Sequence, residues 1–478
     1  MPEFSVHDHS LPIGDDSVTT GAWIDVRAPY DGTLLGRVPA CGDAEVDRAV
    51  AAARAHLGDP MPAWQRAEIL DRAARAVSEH VEQLAGVIAR EAAKPIATAR
   101  VEAQRAVSTF TFAAVAVRTL AGEMVPMDAS AAGVGKLAFT LRVPVGVIGA
   151  ISPFNFPLNL VAHKVAPAIA AGAPIVLKPA SQTPLSALAL ARILHDECDL
   201  PRGFLNVVTG GGGTVGNAIV EHDDIAMITF TGSPEVGWGI KAHAPRKRVG
   251  LELGNNAPLI VEPSADLDVV ATKVKTAGFS HAGQSCISTQ RIYVHDAVAD
   301  ALVDRLVPLV EGLRIGDPLD EATEVSALIS AGERDRVASW VEEAVAAGAQ
   351  LACGGTIRAD GVLEPTVLVD AKPDMKVCAL EVFGPVVTVQ RYSSLDDALA
   401  LANDTRYGLQ AAIFTTDLTD ALRAARTLDF GGVLVNEVPT FRADQQPYGG
   451  LRDSGNTREG PHWAVREMTE ERIVIIQL

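Results

Sequence analysis

The sequence predicts an α/β fold built from more than one domain. Three observations carry that expectation. Residues 143–254 alternate short apolar, β-branched runs with helical stretches, a rhythm that builds a parallel sheet with right-handed crossovers. A second rhythm of the same kind runs from residue 258 to residue 436. The chain has 478 residues, long for one domain, and its 48% hydrophobic but only 5% aromatic content gives the aliphatic, alanine-rich cores that α/β layers use.

The elements follow in order. Residues 44–56, 64–94 and 97–118 carry apolar residues at three- and four-residue spacing and predict helices. Residues 121–142 hold two extended stretches joined by a Gly/Ala/Ser connector. They contain too little material for a core, so a protruding two-stranded element is expected. The first rhythm predicts strands at 145–151, 174–178, 204–209, 227–231 and 248–254. Helices are expected at 158–171, at 183–197, from 214, and from 233 or 234. The second rhythm predicts strands at 258–261, 291–294, 366–369, 386–390, 408–415 and 432–436. Its helices fall at 266–282, 296–313, 330–348, 395–403 and 418–428. The tail ends in Ile473-Val474-Ile475-Ile476, a bare terminal strand that invites pairing with another subunit.

Charge and cysteine usage narrow the function classes. A formal net charge of -18 repels nucleic acid and anionic membranes, so neither is an expected partner, while a small anionic substrate stays compatible. The five cysteines (Cys41, Cys198, Cys286, Cys353 and Cys378) form no CxxC pair and no Cys/His cluster with zinc spacing. Such a set fits reduced thiols, and a cytoplasmic location is expected. The first twenty residues include Glu3, Asp8, Asp15 and Asp16 with no apolar core, so no signal peptide is expected. The apolar region 143–177 is broken by Pro153, Asn155, His163 and Lys164 and does not read as a membrane span.

Two segments carry the chemistry. Gly283-Gln284-Ser285-Cys286 sets a cysteine in a polar, glycine-flanked loop, and Leu251-Glu252-Leu253-Gly254 places a carboxylate where an apolar strand ends. A thiol that attacks carbon and a carboxylate that activates water make a two-step covalent mechanism. Local sequence alone leaves Cys286 open between a reactive thiol and a packed one. His281 is either its base, as in a Cys/His hydrolase, or structural. The other four cysteines read as packing residues. Residues 211–216 match GxGxxG between a strand and a helix, but no acid ends the next strand. The dinucleotide fingerprint is therefore incomplete, and a flexible turn stays open. Gly232-Ser233 opens a helix at the carboxyl end of a strand, either as an anion site or as an ordinary serine cap. Lys178 ends a strand at the same edge, as a ligand-binding or a solvated lysine.

Together these residues resemble the NAD(P)-dependent aldehyde dehydrogenase superfamily, and its lactaldehyde dehydrogenase-like branch in particular. The resemblance covers nearly the whole chain. Its motifs are Pro153-Phe154-Asn155-Phe156-Pro157, Lys178-Pro179-Ala180-Ser181, Phe230-Thr231-Gly232-Ser233 with Gly237, Leu251-Glu252-Leu253-Gly254, and Gly283-Gln284-Ser285-Cys286 with Arg291. Glu381-Val382-Phe383-Gly384-Pro385 and Pro447-Tyr448-Gly449-Gly450 with Ser454-Gly455 and Arg458-Glu459 complete them.

The resemblance implies oxidation of a small aldehyde to its acid with NAD or NADP. Cys286 would form a thiohemiacetal and then a thioester, with Asn155 and the Cys286 N–H as oxyanion donors and Glu252 as the base that activates water. Phe154, Lys178, Ser181, Gly232, Ser233, Leu253, Glu381 and Phe383 would surround the cofactor, with Lys178 and Glu381 on its riboses; Glu459 would join a proton path. It further implies a Rossmann-like cofactor domain (1–120 and 143–252), a catalytic domain (253–455) and a small β oligomerisation element (121–142 and 456–478), hence a homodimer or homotetramer. Three departures stand out. Phe154 replaces a frequent Trp, Asn255-Asn256 stand where Gly-Lys is common, and Ser181 replaces the Glu frequent in NAD-preferring members. Serine removes a carboxylate that would repel a 2′-phosphate, so NADP is expected to be accepted alongside NAD. Phe441-Arg442-Ala443-Asp444 resembles the branch's F-R-x-D loop. Arg442, with Arg105, would either bind an anionic group on a short aldehyde or make structural ion pairs. Two rival readings are a thiol-dependent esterase or acyl transferase, and a non-catalytic binding protein of the same fold.

Overall fold

The predicted alternation is realised as two largely parallel sheets in a computed structural model that describes residues 7–478. Residues 1–6, which include Glu3 of the polar start, lie outside the described residues. The first sheet has five parallel strands in the order Leu205–Val207, Ile175–Lys178, Val147–Ile151, Ile225–Thr231, Arg248–Glu252. Its central strands are unbroken apolar runs because helices cover both faces. The helices Asp43–Ala55, Ala63–Glu79, Val81–Ala92, Ile96–Thr119, Asn159–Ala171 and Leu185–Asp196 share one aliphatic core with this sheet.

The second sheet has seven strands in the order Gln350–Cys353, Thr366–Val369, Val386–Tyr392, Arg291–His295, Pro258–Val261, Gln410–Phe414, Gly432–Val435. All pairs are parallel except the first. Its main core is separate and contains Leu259, Val294, Val367 and Val387.

Several boundaries differ from expectation. The predicted helix 64–94 is two helices, because His80 leaves helical geometry at φ −98°, ψ 9°. The helix expected from 214 is a π-turn, Gly212–Gly216, followed by the short helix Asn217–Glu221. The strand expected to reach residue 254 ends at Glu252. Short strands between His7 and Pro39, the edge strand Gln350–Cys353 and the helix Pro461–Glu467 had no sequence signal that singled them out.

The protruding element forms as expected, with a third strand. Thr469–Gln477 pairs antiparallel with Lys136–Pro144, which pairs in turn with Met124–Val125. The terminal strand thus fills one of its edges within its own chain. Its other edge carries no strand among the described residues, and Ile473, Ile475 and Ile476 are exposed. Among the described residues no helix is long and apolar enough to cross a membrane.

Candidate active site

The strand ends and loops of the two sheets face one another across a cavity of about 780 Å³. From the first sheet come Asn155, Gly232, Ser233 and Glu252; from the second come Cys286, Glu381 and Phe383.

Cys286 is positioned by a tight turn. Ser280–Gly283 passes through left-handed geometry at His281 (φ 50°), Ala282 (φ 52°) and Gly283 (φ 69°). Gly283 also lies against the Gly384 carbonyl, where any Cβ would collide, so glycine is required there twice over. The turn leaves the Cys286 side chain partly open to the cavity, whereas the other four cysteines are buried and all five are unpaired. The Cys286 Sγ lies 2.9 Å from the Tyr448 hydroxyl. Burial pushes this thiol up to about 12; the Tyr448 hydrogen bond and Arg442 pull it down, while Glu381 and Glu252 push it further up.

Asn155 ties the two sheets together. Its side-chain NH₂ donates to the Gln284 carbonyl at 3.0 Å, one residue before Ser285-Cys286. A carboxamide has two N–H groups, so a second donor remains. The backbone of this loop is clamped from the helical side. The Lys94 ammonium donates to the Asn155 carbonyl at 2.6 Å and pairs with Glu102, and both side chains are fully buried. Glu102 in turn accepts from the N–H groups of Leu158 (2.9 Å) and Asn159 (3.1 Å) at the start of the next helix. Lys94→Met would leave a buried carboxylate without its partner and is expected to destabilise the chain by about 3–5 kcal/mol. Urea unfolding of the full chain reads this directly; a loss below about 1 kcal/mol, the worth of an exposed pair, would refute the clamp.

Glu252 ends its strand buried, and neither carboxylate oxygen has a hydrogen-bond partner among the described residues. Burial holds its carboxyl well above the usual carboxylate range, and Glu459 adds to this; Arg442, Lys164 and Arg458 oppose it. Glu252 makes no hydrogen bond to Cys286 among the described residues, so its carboxylate is free to engage something other than the thiol. The two asparagines that follow are pinned. Asn255 donates to the Gln410 carbonyl (3.1 Å), and Asn256 to the Cys378 carbonyl (2.8 Å). Their amides anchor the loop beside Glu252 at the place where the family commonly carries Gly-Lys.

Behind Glu252 runs a buried chain of charges that sequence reasoning mostly missed. Lys164 donates to the Thr229 and Thr231 hydroxyls (3.1 and 2.7 Å) and lies 3.6 Å from Glu459. Glu459 accepts from Arg442 at 2.9 Å. His163 Nε2–H donates to Asp444 at 3.0 Å, which Arg105 also engages at 2.8 Å, and the Arg442 guanidinium lies 3.2 Å from the same ring nitrogen. Arg442 and Arg105 are therefore committed to carboxylates of the protein itself, the ion-pair alternative for both, and neither lines the cavity. The sequence does show several members of this buried chain singly, Glu459, Arg442, Arg105, and His163 with Lys164 inside a largely apolar helix, but nothing in it shows that they form one chain. His281 is buried against Phe156, with ring centroids 6.3 Å apart, and makes no hydrogen bond to Cys286; burial and the nearby Lys94 hold it neutral.

The remaining candidates gather at the same edge. Phe154 and Phe383 meet edge to face with centroids 5.8 Å apart on the cavity wall. Ser233 caps the helix Pro234–His243 by accepting from the Val236 N–H, and Gly237 lets Leu253 pack directly on that helix. Glu381 accepts from the Asn255 N–H (3.0 Å), and burial pushes its carboxyl up to about 8. Lys178 and Ser181 lie just behind the wall. Lys178 is buried with no acidic partner among the described residues. Ser181 donates to the Gly210 carbonyl at 2.9 Å, tying it to the 211–216 loop. A helix N-terminus and a carboxylate on the cavity wall, with a buried ammonium just behind it, fit the phosphates and ribose hydroxyls of a dinucleotide.

The sequence profile of the aldehyde dehydrogenase family matches residues 17–474. The chain belongs to the aldehyde dehydrogenase family. A 3-sulfolactaldehyde dehydrogenase of Priestia aryabhattai is 42% identical over 474 residues, 99% of either chain. A lactaldehyde dehydrogenase of Methanocaldococcus jannaschii is 39% identical over 466 residues, 95% of this chain and 99% of that one. Two solved structures superpose closely. Aldehyde dehydrogenase 21 of Physcomitrella patens, in complex with the reaction product succinate, has a TM-score of 0.96 at 38% identity and covers 99% of each chain. Glyceraldehyde-3-phosphate dehydrogenase GapN of M. jannaschii, complexed with NADP, has a TM-score of 0.92 at 39% identity, over 96% of this chain and 100% of that one. This aldehyde dehydrogenase is thus an oxidoreductase that converts an aldehyde to its carboxylic acid with NAD or NADP, as the motifs implied.

Proposed function

We propose that this aldehyde dehydrogenase oxidises a short α-hydroxy aldehyde through a covalent thioester on Cys286. The observation that carries the assignment is the meeting of three groups at one cavity: a partly open thiol, an anchored amide and a carboxylate with no protein partner. Cys286 Sγ attacks the carbonyl carbon, forming the C–S bond as the carbonyl oxygen takes the negative charge. The second Asn155 N–H and the Cys286 backbone N–H receive that oxyanion; one preorganised donor contributes roughly 2.7–4 kcal/mol in comparable sites. A nicotinamide cofactor held along Lys178, Ser233 and Glu381 would supply the hydride acceptor, and loss of hydride from the tetrahedral carbon leaves the acyl group on Cys286 as the thioester. Glu252 then takes a proton from water, and the hydroxide displaces Sγ from the thioester.

Lys178 and Glu381 are the groups for the ribose hydroxyls, and the helix behind Gly232 and Ser233 faces the pyrophosphate. Phe154, Leu253 and Phe383 form the apolar walls. The substrate class is supported by the relatives' names. Lactaldehyde, 3-sulfolactaldehyde and glyceraldehyde-3-phosphate are all three-carbon aldehydes with a hydroxyl beside the carbonyl. The exposed isoleucines on the open terminal strand support a homodimer or homotetramer built through residues 121–142 and 456–478. The division into a cofactor domain (1–120 and 143–252) and a catalytic domain (253–455) follows the two main cores, and five unpaired cysteines fit a cytoplasmic enzyme.

A panel of neutral and anionic short aldehydes, assayed with both cofactors by absorbance of the reduced nicotinamide, tests the assignment. Turnover is expected to be best with α-hydroxy aldehydes and to occur with NADP as well as NAD. Ester hydrolysis without reduction of either cofactor would point to the acyl-transfer alternative instead. Placing a carboxylate at the expected 2′-phosphate position by Ser181→Glu is expected to lower kcat/KM for NADP about 10–100-fold relative to NAD. An unchanged ratio would remove Ser181 from cofactor selection.

A further inference from the structure

We propose that the Tyr448 hydroxyl is a catalytic hydrogen-bond donor to the Cys286 thiolate, held on the sulfur by the Arg442 guanidinium packed against its ring. The proposal rests on Cys286 being the nucleophile. Among the described residues, the Tyr448 oxygen is the hydrogen-bond partner of Cys286 Sγ, at 2.9 Å, and makes no other hydrogen bond. The phenol is buried and has no freedom to wander. Its backbone is bridged to Glu459 in both directions, Tyr448 N–H to the Glu459 carbonyl at 3.1 Å and Glu459 N–H to the Tyr448 carbonyl at 2.6 Å.

The Arg442 guanidinium carbon sits 3.8 Å from the Tyr448 ring centroid, and the guanidinium is held by its hydrogen bond to Glu459 at 2.9 Å. A cation on the ring face draws electron density from the phenol and makes its O–H a stronger donor. Arg442 thus acts through Tyr448 as a positioning residue. This gives the F-R-x-D loop a role that does not require contact with substrate.

Chemistry fixes the direction of the bond. A thiolate has no proton to give, so once Cys286 ionises only the phenol can donate. Burial holds the Tyr448 hydroxyl well above its usual range, so the phenol keeps its proton and the negative charge stays on sulfur. The proton lost from Sγ leaves through the open cavity. When Sγ bonds to carbon the sulfur loses its charge, the donor is no longer held there, and the hydrogen bond that lowered the cost of ionisation is released. The charged and titratable groups acting on the thiol are Tyr448, Arg442, Glu381 and Glu252. The first two favour the thiolate and the two carboxylates oppose it.

Tyr448→Phe deletes the oxygen and keeps the ring that Arg442 packs on. A charge-assisted hydrogen bond of ordinary strength changes the thiolate fraction about 10–100-fold. A weaker base is also a weaker nucleophile, which returns about half of that effect on a logarithmic scale, so thiolate reactions should slow about 3–10-fold. The experiment is the rate of Cys286 alkylation by iodoacetamide, followed by intact mass on the full chain from neutral to mildly alkaline pH. Y448F should label 3–10-fold more slowly at each pH, with kcat lowered and KM little changed. A wild-type labelling rate in Y448F would overturn the proposal. Should Y448F fold poorly, 3-fluorotyrosine in place of all five tyrosines supplies a more acidic phenol. Faster Cys286 labelling than in the unfluorinated enzyme is then the supporting result, and an unchanged rate the refuting one. Cys286→Ser separates this idea from the one beneath it. Full aldehyde oxidation in C286S removes the nucleophile assignment, whereas an inactive C286S beside a normally labelling Y448F removes only Tyr448.

Discussion

Cys286→Ala is expected to lower aldehyde oxidation by about 10⁴-fold or more, as loss of a covalent nucleophile does elsewhere. The size follows from what the thiol supplies. An aldehyde carbon is trigonal and holds its hydrogen firmly; hydride leaves readily only once a nucleophile has made the carbon tetrahedral and charged its oxygen. No second thiol can substitute, because Cys41, Cys198, Cys353 and Cys378 are buried and none lines the cavity. Water could add to the carbonyl instead, but the Asn155 amide is placed by Gln284 beside the cysteine loop, where the proposed oxyanion donors would favour attack from Sγ. The substitution removes a side chain that is partly open to the cavity, so the melting temperature and cofactor binding should stay close to wild type. Steady-state rates, thermal melts and cofactor titration on the same preparation check this. Retention of more than about 1% of wild-type kcat/KM, a loss of under two decades, would overturn the assignment of Cys286.

The parts of this picture that the sequence displays are those made by local pattern. Val147–Ile151 and Ile175–Lys178 are legible because a parallel strand covered on both faces must be apolar at every position. Cys286, Gly232 and Ser233 are legible because each sits in a short turn whose residue types are dictated by the backbone as much as by the chemistry, and Glu252 because it is a lone carboxylate closing an apolar strand. The edge strand Gln350–Cys353 is illegible for the opposite reason. Gln350 and Leu351 are exposed, so no alternation marks it. The break at His80 leaves no trace because no Gly or Pro accompanies it, and the apolar stripe continues into the next helix.

Side-chain relationships across the fold are illegible in principle. His163 and Asp444 are separated by 281 residues, Cys286 and Tyr448 by 162, and Lys94 reaches the Asn155 carbonyl across 61. Arg442 shows the consequence. Its loop suggests either a substrate group or an ion pair, and only the structure reveals that the buried guanidinium is paired with Glu459 and that its flat face is turned to a tyrosine ring. Lys94 and Glu102 show the same from the other direction. Each reads as an ordinary helix-surface charge, and each is fully buried beneath the loop that carries Asn155.

Glu252→Gln is expected to stop the enzyme halfway. The amide keeps the shape of the side chain and cannot take a proton from water, so hydride transfer should proceed once and the thioester should then persist. Rapid mixing should show a burst of reduced cofactor of one equivalent per active site, followed by a steady phase about 10²–10⁴-fold slower than wild type. Intact mass should show the acyl group on Cys286. In the wild type, deacylation should rise with pH as Glu252 loses its proton, with a midpoint above the usual carboxylate range because the group is buried and faces Glu459. The variant should lose that rise. Stability should move the other way. A carboxyl whose folded value is raised is fully compatible with the fold below its unfolded value, and the stability it permits is lost as pH rises through the folded one. At neutral pH the native state therefore bears the cost of keeping a carboxyl away from the solvated, ionised form it takes in the unfolded chain, with neither oxygen hydrogen-bonded among the described residues, and glutamine removes that cost. E252Q should melt at or above the wild-type temperature near neutral pH and draw level with it in acid. An inactive variant that is no less stable cannot be explained by misfolding, which isolates the missing proton acceptor as the cause. A variant with wild-type turnover and no burst would transfer the role of base to another group.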